Sequence, residues 1–268
     1  MVDHTEKPKG CSVLWASKPD GRLDLQRRLP SADLAPFVSH YGSVAWDLRT
    51  PFVADTLPSP SGRLEIDVQS DVCRAEIIGV RTGRYDSRRE GRGQFFVVEL
   101  RAATLQPLLG ASMSSLTDRA VPMTSTFGPR ADAWVRALRR ARSCEAEFEL
   151  TEAFLREVIP PMPPAVAKMR DVVERIAVDP ALCRVEQVAE IAGLDMRTLQ
   201  RHFRAYVGIH PKWVIQRYRL QEAAQQLRAA PIALARLAAD LGYADQAHFA
   251  RDFRRVIGRP PGDFVASR

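Results

Sequence analysis

Cysteine is scarce in this chain. The four residues, at positions 11, 73, 144 and 183 of 268, include no Cys-x-x-Cys pair. That spacing signals neither a zinc cluster nor a disulfide framework, so reduced and mostly buried thiols are expected. Long apolar runs are missing as well. No stretch approaches the ~18 residues that suggest a membrane span, and the segment from Met1 to Gly10 is polar where a signal peptide would be apolar. The expectation is a cytoplasmic protein without membrane contact. Histidine is also sparse, and only His4 and His40 precede the last hundred residues, too few for a clustered His and carboxylate metal site. Glu65 and Asp67 alternate along one segment, the pattern of a solvated strand face. No Gly-x-Ser-x-Gly, Walker-type loop or Gly-x-Gly-x-x-Gly occurs. Catalysis, a metal and a cofactor are therefore not expected.

What is present begins with enough apolar residue, 46% against 26% charged, to bury a core, and a length that suggests two domains. The charge is unevenly spread. From Ala165 to Arg268 there are 17 basic and 11 acidic residues, a net of +6, while the rest of the chain carries only +1. A polyanionic partner for the C-terminal segment follows. That same segment contains one pattern twice: VAEIAGLDMRTLQRHFRAYVGIHP from Val188, and LAADLGYADQAHFARDFRRVIGRPP from Leu237. Ala189 and Gly193 match Ala238 and Gly242 at a separation of 49. Leu199, Phe203, Arg204, Gly208 and Pro211 match their counterparts at 50, so the second copy has one extra residue in its turn. Each copy has the grammar of a helix-turn-helix.

The order along the chain predicts an α+β protein of two domains. Residues 1–20 are expected to be a disordered tail. Residues 21–159 should form a β-rich sandwich or barrel with terminal helices, serving effector binding or dimerisation. Short strands are predicted over Phe37 to Trp46, Arg63 to Val68, Arg74 to Val80 and Gln94 to Leu100, with Gly83 to Gly93 as a loop. Helical periodicity over Pro129 to Arg142 and Glu145 to Val158 gives a packed pair or a dimerisation surface. Tyr41, Trp46 and Phe95, with Trp15, Phe52 and Phe96, are candidates to line an effector pocket at a barrel mouth. Four prolines in residues 160–164 make a stiff linker. Residues 165–268 should be all-helical, in about seven segments. They begin with Ala165 to Val178 and include a long helix from Pro211 to about Ala229 between the two helix-turn-helix units.

The two reading helices can be inspected residue by residue. After a capping Asp195, Leu199, Phe203 and Val207 form the core stripe, while Arg197, Gln200, Arg201 and Arg204 share another face. Arginine matches the guanine edge and glutamine can pair with adenine. In the second copy Phe249 and Phe253 face inward, and Ala247, Arg251, Arg254 and Arg255 face outward, with Gln246 and His248 near the helix start. The first helix is expected to supply more base discrimination. The second should supply more phosphate contact. Nineteen residues of linker helix span roughly 28 Å, enough with its turns to hold the readers about one DNA turn apart.

Residues from about Ala165 to Phe264 resemble the DNA-binding domain of the AraC/XylS transcriptional regulators. The likeness rests on LQRHFR from Leu199, Gly208 with Pro211, Arg219-Leu220 with Ala223 and Leu227, LGYADQAHF from Leu241, and Arg251, Phe253-Arg254, Gly258 and Pro261. It implies base contacts from Arg197, Gln200, Arg201, Gln246, Ala247 and Arg251. Phosphate contacts fall to Arg204, His248, Arg254 and Arg255. The implied partners are double-stranded DNA, a small-molecule effector, RNA polymerase and a second copy of the chain. A second class stays open: an architectural or repair-linked nucleic-acid-binding protein whose N-terminal half is a protein-interaction module.

Overall fold

The computed structural model describes residues 13–266 apart from 71, 84 and 231. Residues 1–12 of the expected tail, Cys11 among them, lie outside the described residues. The rest of that tail is not all loose chain, because β1 (Val13–Ala16) pairs with a later strand. Six more strands follow: β2 (Gly21–Arg28), β3 (Val38–Thr56), β4 (Arg63–Gln69), β5 (Val72–Ile78), β6 (Tyr85–Leu100) and β7 (Ala120–Pro122). The expected sandwich or barrel takes the form of one antiparallel sheet with two ends, ordered β1-β3-β6-β4-β5-β7, with β2 also on β3.

The sheet is dominated by two long strands. β3 is wide enough to pair β2 along Tyr41 to Leu48 and β1 along Ala54 to Thr56. Its register against β6 shifts between Leu48 and Phe52, next to Pro51, which has no N–H to give the ladder. The expected loop from Gly83 to Gly93 is instead mostly the first half of β6, paired with the end of β3. Its charged residues hid a strand whose side chains reach solvent or pair along the strand, as Arg88 does with Glu90.

Alternation decides what each face does. Tyr41 and Ser43 on β3, Ile66 on β4, and Phe96 and Val98 on β6 share one face. α3 (Pro129–Arg140) and α4 (Cys144–Val158) cover that face. Phe148 of α4 lies 6.0 Å from the rings of both Tyr41 and Phe96, and Trp134 of α3 stacks on Phe154 at 4.3 Å. Two short helices, α1 (Gln106–Leu109) and α2 (Thr124–Phe127), lead into this pair.

After an extended segment at 159–163, the described residues of the helical region form seven helices. They are α5 (Pro164–Val178), α6 (Val185–Ala192), α7 (Met196–His202), α8 (Pro211–Ala229), α9 (Leu234–Asp240), α10 (Gln246–Ile257) and α11 (Pro261–Ala266). A π turn over Phe203–Val207 extends α7. Prolines occupy the first turns of α5 and α8, where no N–H is needed.

The core does not divide at the prolines. One cluster runs from the sheet and the α3/α4 pair into α5, α6, α7 and the start of α8, ending at Ile215. The other joins Leu220 and Leu227 of α8 to Leu237, Phe249, Phe253 and Phe264, with Leu57 from the β3–β4 connection. The first helix-turn-helix is thus packed as part of the N-terminal body, and the second packs around the latter half of α8 with Leu57. Arg217 of α8, buried, donates to the Pro58 carbonyl at 2.7 Å, and Arg101 pairs with Glu174 of α5 at 2.6 Å across the same junction.

Candidate nucleic-acid interface

The two helices expected to read DNA are set by two matching caps and two matching cores. Asp195 Oδ1 accepts the Thr198 N–H at 2.9 Å, and Asp245 Oδ1 accepts the His248 N–H at 2.7 Å. The backbone N–H groups at that helix start hold the Asp195 carboxyl below its usual range. Leu199, Phe203 and Val207 in the first copy, and Phe249 and Phe253 in the second, are completely buried. Each buried side chain of this kind contributes about 1.5–3 kcal/mol relative to leaving it exposed. The extra residue of the second copy lies between Gly242 and Asp245, where the first has only Leu194 between Gly193 and Asp195.

With the core stripe pinned inward, the opposite face is free. Arg197, Gln200, Arg201 and Arg204 are all exposed. Among the described residues none of these arginines has an acidic partner. Arg201 makes only a 3.5 Å contact to Thr198 Oγ1. In the second copy Gln246, Ala247, His248, Arg251, Arg254 and Arg255 are exposed likewise. Two of these are not free. Arg255 pairs with Asp252 at 2.9 Å, and His248 Nε2 lies 3.6 Å from the same carboxylate.

Asp252 was not among the residues singled out from the sequence. It is buried, and Gln216 Nε2 of α8 donates to its Oδ2 at 2.8 Å. Its spacing was the available signal: four residues after His248 and three before Arg255, it stands on one helical face with both. The matching position of the first copy holds His202. Burial, with Arg201 and Lys168 nearby, pushes its imidazole below the ordinary value. Arg219 is one of the residues that carry the family resemblance, and the pattern alone gives it no role. Its guanidinium is buried and donates to the carbonyls of Ile176 and Asp179 at 2.7 and 2.9 Å, fastening α8 to the end of α5.

The expected effector pocket does not assemble. Tyr41 is on the helix-covered face of the sheet, while Trp46 and Phe95 are on the other, because odd and even positions of β3 point apart. Trp46 and Phe95 hold the Arg89 guanidinium between them, at 5.1 and 4.7 Å, and Arg89 pairs with Asp67 at 2.9 Å. Phe52 pairs with Arg89 in the ladder, Phe96 belongs to the core, and the side chain of Trp15 lies outside the described residues. A cleft of about 260 Å³ occurs elsewhere, between α1, α2, the start of α3 and the end of α4. Leu108, Phe127 and Val158 form its apolar part, and Arg130 and Glu157 its charged rim.

No group of three or more His, Cys, Asp or Glu suited to a metal ion occurs among the described residues. No helix among them is long and apolar enough to cross a membrane.

Comparison with known proteins finds two family matches along the chain. A helix-turn-helix domain family matches residues 188–267, and a domain of unknown function (DUF6597) matches residues 26–122. A Streptomyces lividans protein described as an AraC-like transcription regulator is 38% identical over 80 residues, 30% of this chain and 26% of that protein. The transcriptional activator RhaS of Escherichia fergusonii is 32% identical over 83 residues, 31% of this chain and 30% of the activator. The chain therefore matches less than a third of the length of these relatives. Among solved structures, the C-terminal domain of AraT, a response regulator from Geobacillus stearothermophilus, is 22% identical. It covers 41% of this chain and 89% of its own, with a TM-score of 0.35. ToxT from Vibrio cholerae is 10% identical over 92% of this chain and 98% of its own, at a TM-score of 0.38.

Proposed function

We propose that residues 188–267, which match a helix-turn-helix domain family and AraC-like regulators over that stretch, form an AraC/XylS-type DNA-binding domain, and that the chain is a sequence-specific, DNA-binding transcription regulator. The carrying observation is the duplication of a capped, core-pinned helix that each time leaves unpaired arginines in solvent. α7 offers Arg197, Gln200 and Arg201 to base edges, with Arg204 for phosphate. α10 offers Gln246, Ala247 and Arg251 to bases, with Arg254 for phosphate. His248 and Arg255 reach phosphate only by sharing or leaving Asp252.

Gating is assigned to the N-terminal body. Its effector site is the cleft at Leu108, Phe127, Arg130 and Glu157, whose exposed arginine suits a small molecule with an anionic group. RNA polymerase and a second copy complete the proposed partners. The exposed Arg136, Arg139 and Arg140 of α3 beside the exposed Glu149 and Glu157 of α4 give a helix pair of opposed charge that suits self-association. The domain division at residues 160–164 is kept as a division of roles. Footprinting with the full chain tests the function. Protection over two successive major-groove segments supports it, and diffuse protection of any sequence supports an architectural role instead.

A further inference from the structure

The two reading helices contain the same number of residues between their aspartate caps and their closing glycines, Asp195 to Gly208 and Asp245 to Gly258. They nonetheless close differently. In the second copy the Gly258 N–H donates to the Arg254 carbonyl at 2.8 Å, the ordinary four-residue bond of an α-helix. In the first copy the Gly208 N–H reaches one residue further back, to the Phe203 carbonyl at 2.8 Å, and Phe203–Val207 is a π turn. Such turns are rare and occur mostly as single bulges at functional places. Both glycines have nearly the same left-handed backbone, φ 92° and 90°, so the glycine does not cause the difference.

What differs between the copies is what touches the helix end. The wider turn releases the Arg204 carbonyl, and Ser112 Oγ of the N-terminal body donates to it at 3.3 Å. Five residues on, Thr117 Oγ1 donates to the Gly208 carbonyl at 2.7 Å. Gly208 is buried against this loop, close enough that a Cβ there would lie 3.1 Å from the Met113 carbonyl. Gly258, by contrast, is exposed. One loop thus satisfies a backbone acceptor that exists only because the helix is in its π form.

We infer that residues 112–117 are a latch by which the N-terminal body holds the first reading helix in its π form and restrains its grip on DNA. The inference rests on the DNA-reading function and adds its regulation. The restraint falls on the phosphate contact of Arg204, whose carbonyl the latch holds, while its counterpart Arg254 sits in an ordinary α-helical turn that ends at an exposed glycine. With the latch open, the first copy closes as the second does. The latch follows α1 directly, and Leu108 of α1 lines the cleft, so an occupant of the cleft acts on the loop that holds the helix.

The test is the double variant Ser112→Ala, Thr117→Val in the full chain, read in two ways. In its crystal structure the Gly208 N–H should bond the Arg204 carbonyl; a bond still made to Phe203 overturns the latch. Binding is then measured on a selected duplex with each half-site scrambled in turn. The variant should bind three- to tenfold more tightly wherever the α7 half-site is intact, with a salt dependence steeper by about one phosphate. Its affinity for the α10 half-site alone should not change. An equal change on both halves, no change, or weaker binding at the α7 half overturns the proposal. A wild-type chain that selects no duplex at all would refute the DNA-reading function, and the crystal structure would still decide the latch.

Discussion

Gln216 of α8 donates to Asp252 of α10 at 2.8 Å, joining the linker helix to the second reading helix through a buried carboxylate. The same carboxylate holds Arg255 at 2.9 Å. Asp252→Ala leaves the Gln216 amide without its acceptor, at a cost of about 1–3 kcal/mol. A lower urea midpoint should report it, and an unchanged midpoint would show that the brace does not stabilise the fold.

Arg197 and Arg254 should fail in different ways. Arg197→Ala is expected to relax one base position by about 1–3 kcal/mol with little effect on other sequences. Arg254→Ala should weaken all duplexes alike and lower the salt slope by about one. Competition binding against single-base variants of a selected site separates the two. A uniform loss for Arg197→Ala would move that residue from base to phosphate.

Specificity should also be unequal between the copies. Ala247 stands where the first copy has Arg197 and offers a methyl group but no hydrogen bond. Arg197→Ala should therefore cost more discrimination than Arg251→Ala against a library of sites. Equal losses would contradict this asymmetry.

His40 gives a pH dependence with a defined sign. Burial, with Arg27 adding, lowers its imidazole to about 4. The unfolded chain takes up that proton near pH 6.5 and the folded chain does not. The stability His40 supports is thus complete above about pH 6.5 and is lost as pH falls toward 4. Melting of the wild type and His40→Gln from pH 8 to 4 checks it: the difference between them should shrink or reverse on acidification. Parallel curves would contradict the assignment.

Gly79 is a close-approach position beneath the loop that holds the first reading helix. A Cβ there would fall 1.9 Å from the Leu116 carbonyl oxygen, and backbone cannot give way as a side-chain tip can. Gly79→Ala should destabilise by about 1–3 kcal/mol or more, seen as a lower melting temperature. Wild-type melting would mean that the loop is not packed as described.

Most of the helical region was legible in the sequence. Asp195 and Asp245 mark starts, Gly208 and Gly258 mark ends, and Pro211 opens the linker helix where the missing N–H costs nothing. The β region was harder for a physical reason. Arg88, Arg89 and Glu90 look like a loop because charge runs usually are one, yet cross-strand pairing with Phe52 and Val53 makes them a strand. The pocket failed on parity: Tyr41 and Trp46 are five apart on one strand, so their side chains point to opposite faces. Ser112 and Thr117 carry no pattern at all. Their role depends on which backbone carbonyl the fold brings to them, and no spacing rule contains that.

The central claim, two unlike reading helices acting as one directional reader, is tested most directly by selecting sites from randomised duplex DNA with the wild type and with Arg197→Ala. The predicted site is non-palindromic, with two half-sites about 10 base pairs apart, and Arg197→Ala should blur one half while the other keeps its sequence. A palindromic site, or both halves blurred together, would contradict it.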